Sequence, residues 1–163
     1  MKAIILTYAP VKEEEKKLLR RTKVFKIAIN QHGGEYKPTV RIISDYVLAS
    51  MCKRFPENII SIRDRFRYES KRVEYINDIE FKGATIICAV EYLKNNGYKR
   101  ILIVGDNKVN NKDFQNNVRK QIDKIKDGLF LYQYTKGNFN LPVMTIKEFL
   151  SRKIRKENLN GRN

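Results

Sequence analysis

His32, Asp45, Asp106 and a run of arginines are the residues of this chain whose types and positions suit work on a phosphate-bearing ligand. His32 is the single histidine and stands in Asn30-Gln31-His32-Gly33-Gly34. An imidazole with an ordinary pKa near 6.5 serves as a general base at neutral pH. A lone loop histidine also occurs with no catalytic task. Asp45 and Asp106 each follow a short apolar segment. Two such carboxylates turned into one crevice could hold Mg²⁺ bridged to a pyrophosphate. The plainer reading makes Asp45 a helix N-cap and Asp106-Asn107 an Asx-type turn. Catalytic candidates are therefore Asp45, Asp106 and His32, with Mg²⁺ the one cofactor to consider. No His or Cys cluster has the spacing of a zinc site.

Phosphate recognition has two candidate sources. Arg63, Arg65, Arg67, Lys71 and Arg72 interleave with Phe66 and Tyr68 in RDRFRYESKR. That mixture suits single-stranded nucleic acid, where bases stack on rings and phosphates meet cations. It equally suits a clamp on a nucleotide or phosphosugar, or an exposed lid whose rings pack back on the protein. The second source is Gly83-Ala84-Thr85 at the start of an apolar helix. Free N–H groups at such an end can hold a phosphate, and Gly83 permits close approach. A glycine packed tightly against a sheet would look the same. No GxGxxG follows the first apolar segment and no GxxxxGK[ST] occurs, which argues against dinucleotide-dehydrogenase and P-loop chemistry. The absence of GxSxG argues against an α/β-hydrolase.

The elements that must position these groups are read from periodicity and breakers. Strands are expected at Lys2–Tyr8, Val24–Asn30, Val40–Ser44, Ile59–Ile62, Arg100–Gly105, Leu129–Tyr134 and Leu141–Thr145. Helices are expected at Val11–Arg21, from Asp45 to about Arg54, from Gly83 to the Asn96-Gly97 stop, over Lys112–Lys126 and over Ile146–Arg152. Phe114, Val118, Ile122 and Ile125 form one apolar stripe, and Gly128 is a C-cap candidate. Residues 31–39, with two glycines and a proline, form a loop. Arg63–Asp78 is long, charged and rich in Arg, Tyr and Phe, with room for a helical turn or two. Strands alternating with helices imply a mainly parallel sheet covered on both faces. The expectation is a three-layer, Rossmann-like α/β domain of six or seven strands over residues 1–152, with a basic tail over 153–163. Ligands of such sheets bind outside the carboxyl ends of the strands. There Asn30, Gln31, His32, Asp45, Asp106 and Asn107 would converge.

Composition bounds the class. A chain of 163 residues suits one domain. At that size roughly 70% of the unfolded surface is buried, enough for a full core. No run of 18 apolar residues exists, so no membrane span is expected. The N-terminus reads as a strand, not a signal peptide. Cys52 and Cys88 fall in apolar stretches as free thiols, and a cytoplasmic location is the default. Thirty-four Lys and Arg against 18 Asp and Glu leave a formal charge of +16. Such an excess favours anionic partners such as nucleic acid or phosphorylated ligands, unless it is only a compositional habit spread over a solvated surface.

Two segments carry a family resemblance. Val24–Gln31, VFKIAINQ, is a strand ending in Asn. Gly83–Asp106 combines a glycine helix start with Thr85, a Cys88-Ala89-Val90 centre, a Gly97-Tyr98-Lys99 stop and a strand ending Gly105-Asp106. Both resemble the nucleotide-binding core of small bacterial sialyltransferases of the Rossmann-like kind, and of the archaeal hydroxymethyl-dihydropterin pyrophosphokinase-like family. The resemblance spans the first two-thirds of the chain. It implies nucleotide contact by Asn30 and matches Gly83, Thr85 and Asp106 to the nucleotide-binding core. Gln31 and Asn107 join the nucleotide-site candidates as their strand-end neighbours. It also implies group transfer from a nucleotide or nucleotide-sugar. The chain departs from the pattern in two places. Tyr8-Ala9-Pro10-Val11 replaces a Gly-Pro-Ser-Leu-type loop, and no histidine follows His32 to act from a C-terminal lid. The rival expectation, from a different class, is a non-catalytic nucleic-acid-binding protein that uses its basic surface.

Overall fold

Short apolar stretches alternate with helix-forming segments along this chain, and in the computed structural model they pair side by side. The structure describes residues 1–8, 10–43, 54–61, 73–75, 84–105, 112–137 and 139–151. The strands are β1 (Lys2–Leu6), β2 (Phe25–Ile29), β3 (Val40–Ile43), β4 (Asn58–Ser61), β5 (Val73–Tyr75), β6 (Arg100–Val104) and β7 (Phe130–Gln133). They form one sheet in the order β5-β4-β3-β2-β1-β6-β7. Every neighbouring pair is parallel, with Ile5 opposite both Ile27 and Ile103 at the centre. The α/β, Rossmann-like expectation is met.

The sheet is covered on both faces, as a parallel sheet requires. Because side chains alternate along a strand, Ala3, Ile5, Ile27, Ile29, Ile42, Ile101 and Ile103 share one face. Helix α2 (Thr85–Asn95) and helix α3 (Lys112–Ile125) pack there, through Ile86, Ile87, Val90 and Leu93 and through Val118, Ile122 and Ile125. The alternate residues Ile4, Leu6, Leu102 and Val104 meet helix α1 (Glu13–Arg21) and helix α4 (Ile146–Ser151) through Leu19, Ile146 and Phe149. Cys88 is buried in the first layer. Fully burying one such Leu or Ile side chain contributes about 1.5–3 kcal/mol. No helix among the described residues is long and apolar enough to cross a membrane.

Helix ends account for several polar residues. Helix α2 stops as its Asn96-Gly97 signal requires. Gly97 adopts φ +78°, its N–H donates to the Lys94 carbonyl, and the Tyr98 N–H donates to Leu93. Helix α4 starts in a capping box. The Glu148 N–H donates to Thr145 Oγ1, and the Glu148 carboxylate accepts from the Thr145 N–H at 2.9 Å. Three lysines donate to helix C-terminal carbonyls at the amino edge of the sheet. Lys2 reaches Phe149 and Leu150, Lys26 reaches Leu19 and Thr22, and Lys94 reaches Ile125. A cation there complements the negative end of the helix dipole.

Two expectations are corrected. Val73–Tyr75, inside the charged stretch 63–78, is a strand. Its sequence, Val-Glu-Tyr, carries too little apolar pattern to announce one, and it forms because β4 offers a free edge. Leu141–Thr145 is no strand but makes one isolated parallel bridge, Gln133 to Val143. Pro142 has no N–H to give a ladder, and its carbonyl instead accepts from Gln133. The expected helix from Asp45 falls almost wholly outside the described residues, as do the 63–72 run and the 153–163 tail.

Candidate functional site

From β1 the strand order runs outward to β5, then returns to the other side of β1 at β6. The switch point of this open sheet is therefore the crevice at the carboxyl ends of β1 and β6, where ligands of such sheets bind. Thr7 and Tyr8 leave β1 there, and Gly105 leaves β6. The Thr7 N–H still donates to Val104 at 2.9 Å, so the two strands stay joined to their ends. Gly105 has φ +127°, and a β-carbon on it would fall within hard contact of Thr7 Oγ1 and 2.8 Å from the Tyr8 carbonyl. Only glycine lets the two loops close up.

The loop after β2 leans onto the same place. Gly33 has φ +75°, and a β-carbon there would stand 2.6 Å from Leu6 Cβ, at the last residue of β1. This contact draws Asn30, Gln31 and His32 beside the switch point. Asn30 adopts φ +52° and donates its N–H to Ile42 at 2.9 Å. Asparagine tolerates that left-handed conformation better than most residues. Its Oδ1 is buried without a hydrogen-bond partner among the described residues. Gln31 is exposed and His32 half-buried. The His32 ring meets the Tyr8 ring in an edge-on contact, centroids 5.6 Å apart and planes at 63°.

The loop is held from beneath by Arg41 of β3, a side chain with only 1% of its surface exposed. Its Nη1 donates to the carbonyls of Asn30 and of His32, the latter at 2.9 Å. Its Nη2 is bonded to the buried Glu57 carboxylate, and its guanidinium lies 4.1 Å from the Phe55 ring centre. A buried guanidinium keeps its charge, so it must be paired and bonded. Here the pairing fixes two backbone carbonyls of the candidate loop. At the end of β4, the buried Ser61 Oγ also has no hydrogen-bond partner among the described residues.

Thr85 opens α2 and is half-buried. Helix α2 enters β6 through the tight turn at residues 96–99, at the amino edge. It packs on β1, β2 and β3. Its eleven residues then span about 16 Å at 1.5 Å per residue, which carries Thr85 toward the carboxyl edge. Asn30, Gln31, His32 and Thr85 thus belong to one edge. Gly83, Asp45, Asp106, Asn107, Arg63, Arg65, Arg67, Lys71 and Arg72 lie outside the described residues. Among the described residues, no three His, Cys, Asp or Glu side chains come together as a metal site would need.

Sequence reading missed the roles of Arg41 and Glu57. The signal was a lone arginine inside an otherwise apolar strand, VRII, since a charge in a parallel strand must find a buried partner. Glu57 gave none. No protein-family model, curated protein or solved structure matches the chain. The fold and this edge therefore carry the functional reading, and they define an open, parallel, Rossmann-like α/β protein with a candidate site at the β1/β6 switch point.

Proposed function

We propose that this protein binds a nucleotide or nucleotide-sugar across the carboxyl ends of β1, β2 and β6. In that reading Asn30 contacts the nucleotide, and Gln31, Thr85, Gly83, Asp106 and Asn107 line the same site. The arginines from Arg63 to Arg72, with Lys71, supply phosphate contacts, and Mg²⁺ accompanies a pyrophosphate where Asp106 and Asp45 reach it. Group transfer from the nucleotide is the reaction class, as the resemblance to the sialyltransferase and pyrophosphokinase-like cores implies. The observation that supports the reading best is the close approach of Gly105 at the end of β6 to Thr7 and Tyr8, and of Gly33 after β2 to Leu6 at the end of β1. Asn30 follows β2 at the same carboxyl edge, and its buried amide oxygen has no hydrogen-bond partner among the described residues, which supports its part in the reading.

The rival, a nucleic-acid-binding protein, rests on the charge of +16. It is weakened by how several cations are used. Lys2, Lys26 and Lys94 cap helices, and Arg41 is buried against Glu57. Isothermal titration with nucleoside mono-, di- and triphosphates and nucleotide-sugars, with and without Mg²⁺, tests the proposal. Binding below millimolar supports it, and its absence across the panel removes it. A single-stranded oligonucleotide serves as the control. Affinity falling steeply between about 50 and 200 mM salt, with no nucleotide binding, would favour the rival.

A further inference from the structure

Tyr8 is an aromatic side chain at the carboxyl edge that stays largely in solvent, with 55% of its surface exposed. The other exposed large apolar residues among those described lie elsewhere: Met1 and Phe130 precede or open strands at the amino edge, and Val143 flanks β7. A mobile surface tyrosine would need no explanation, but Tyr8 is held on two sides. Gly105 admits its carbonyl to within 2.8 Å of where a β-carbon would be, which seats the Tyr8 backbone on the end of β6. His32 meets its ring edge-on. The His32 carbonyl is in turn fixed by Arg41, and the following Gly33 is pressed on Leu6. The backbone on either side of the ring pair is thus fixed, the two rings meet edge-on, and more than half of the tyrosine surface is exposed.

We infer that the Tyr8 ring, braced by His32, is the stacking platform for the base of the bound nucleotide. The inference rests on the nucleotide reading of the switch point and adds which part of the ligand is recognised and by what. A rigid, exposed ring suits a base, because every base offers a π-face and little side-chain entropy remains to be lost. Such a platform recognises base in general more than one base in particular. Hydrogen-bonding groups such as the Asn30 carboxamide remain for ribose or phosphate.

The test titrates the intact chain with the four nucleoside 5′-monophosphates and with ribose 5-phosphate, as wild type, Tyr8→Ala and Tyr8→Phe. Base stacking on an aromatic side chain is strong enough that Tyr8→Ala should weaken every nucleotide about tenfold or more. Tyr8→Phe should bind as wild type does, and ribose 5-phosphate should bind weakly and equally to all three. Tyr8 is exposed, so circular dichroism should report the same fold for each. Nucleotides that bind Tyr8→Ala as tightly as wild type overturn the platform while leaving the crevice reading intact. The platform is equally overturned if ribose 5-phosphate loses as much affinity as the nucleotides, since the ring would then face the sugar. Absence of binding by nucleotides and ribose 5-phosphate alike overturns both.

Discussion

Gly105, at the end of β6, and Thr7, at the end of β1, approach so closely that no side chain fits between them. The contact joins the two strands that flank the switch point, although the residues are far apart in sequence. It sets how the β1 loop, with Tyr8, lies over the edge. Gly105→Ala should therefore be costly twice. Its φ of +127° disfavours any L-residue, and the new methyl meets Thr7 Oγ1 and the Tyr8 carbonyl. A loss of about 2–4 kcal/mol is expected, seen as a lower denaturant midpoint at unchanged slope. An alanine variant as stable as wild type would contradict the geometry.

Asn30 separates backbone from side chain. Asn30→Gly keeps the left-handed conformation at φ +52° and removes only the carboxamide. Stability should change little, while nucleotide binding weakens by about 1–2 kcal/mol, the order of one lost hydrogen bond. Asn30→Ala should show the same binding loss plus a stability cost of about 1–2 kcal/mol for an L-residue in that conformation. Titration calorimetry and chemical denaturation on the same preparations distinguish the two effects. Unchanged affinity in Asn30→Gly would make the residue a turn former only.

Arg41 and Glu57 should behave as a unit. Arg41→Met strands a buried carboxylate and frees two loop carbonyls, at a cost of about 3–5 kcal/mol. Changing Glu57→Leu in the same chain removes the orphaned charge and should recover part of that loss. A double-mutant cycle by urea denaturation measures the coupling, and strictly additive effects would show that the pair is not one unit.

Tyr134 gives a pH dependence whose sign is fixed. Burial, and then its hydrogen bond to the Glu15 carboxylate, push its hydroxyl pKa above the ordinary value of 10.0. A group whose folded pKa is raised contributes stability that is whole below the unfolded pKa and is lost as pH rises through the folded one. The stability gap between wild type and Tyr134→Phe should accordingly be constant from neutral pH to about 9 and narrow above about 10. Tyr36 and Tyr92 are raised by burial in the same sense, whereas Lys2 and Lys26 are lowered by burial and act oppositely. The comparison with the phenylalanine variant isolates Tyr134 from them. A gap that widens above about pH 10 would refute the assignment.

Most of the architecture is legible in the chain because it is written in short-range signals. Apolar runs such as Ile101–Val104, the stop at Asn96-Gly97 and the Val118, Ile122, Ile125 stripe each act within a few residues, and each lies where its pattern places it. The strand-end position of Asn30, Gln31 and His32 follows from the same signals. What the pattern does not contain is pairing across distance. Val73–Tyr75 is a strand because β4 has an edge to offer, and Leu141–Thr145 is not one because Pro142 cannot donate. Glu15 is one of three consecutive glutamates, with nothing local to distinguish it. It is buried because the fold brings the Tyr134 hydroxyl and the Ile146 N–H to its carboxylate across 119 and 131 residues. Arg41 likewise becomes the brace of the candidate loop only once Glu57, Asn30 and His32 surround it. Elements form from local dihedral preference and burial periodicity, which sequence displays. Buried polar groups are settled by whichever partner the chain topology delivers, and that only the tertiary structure decides.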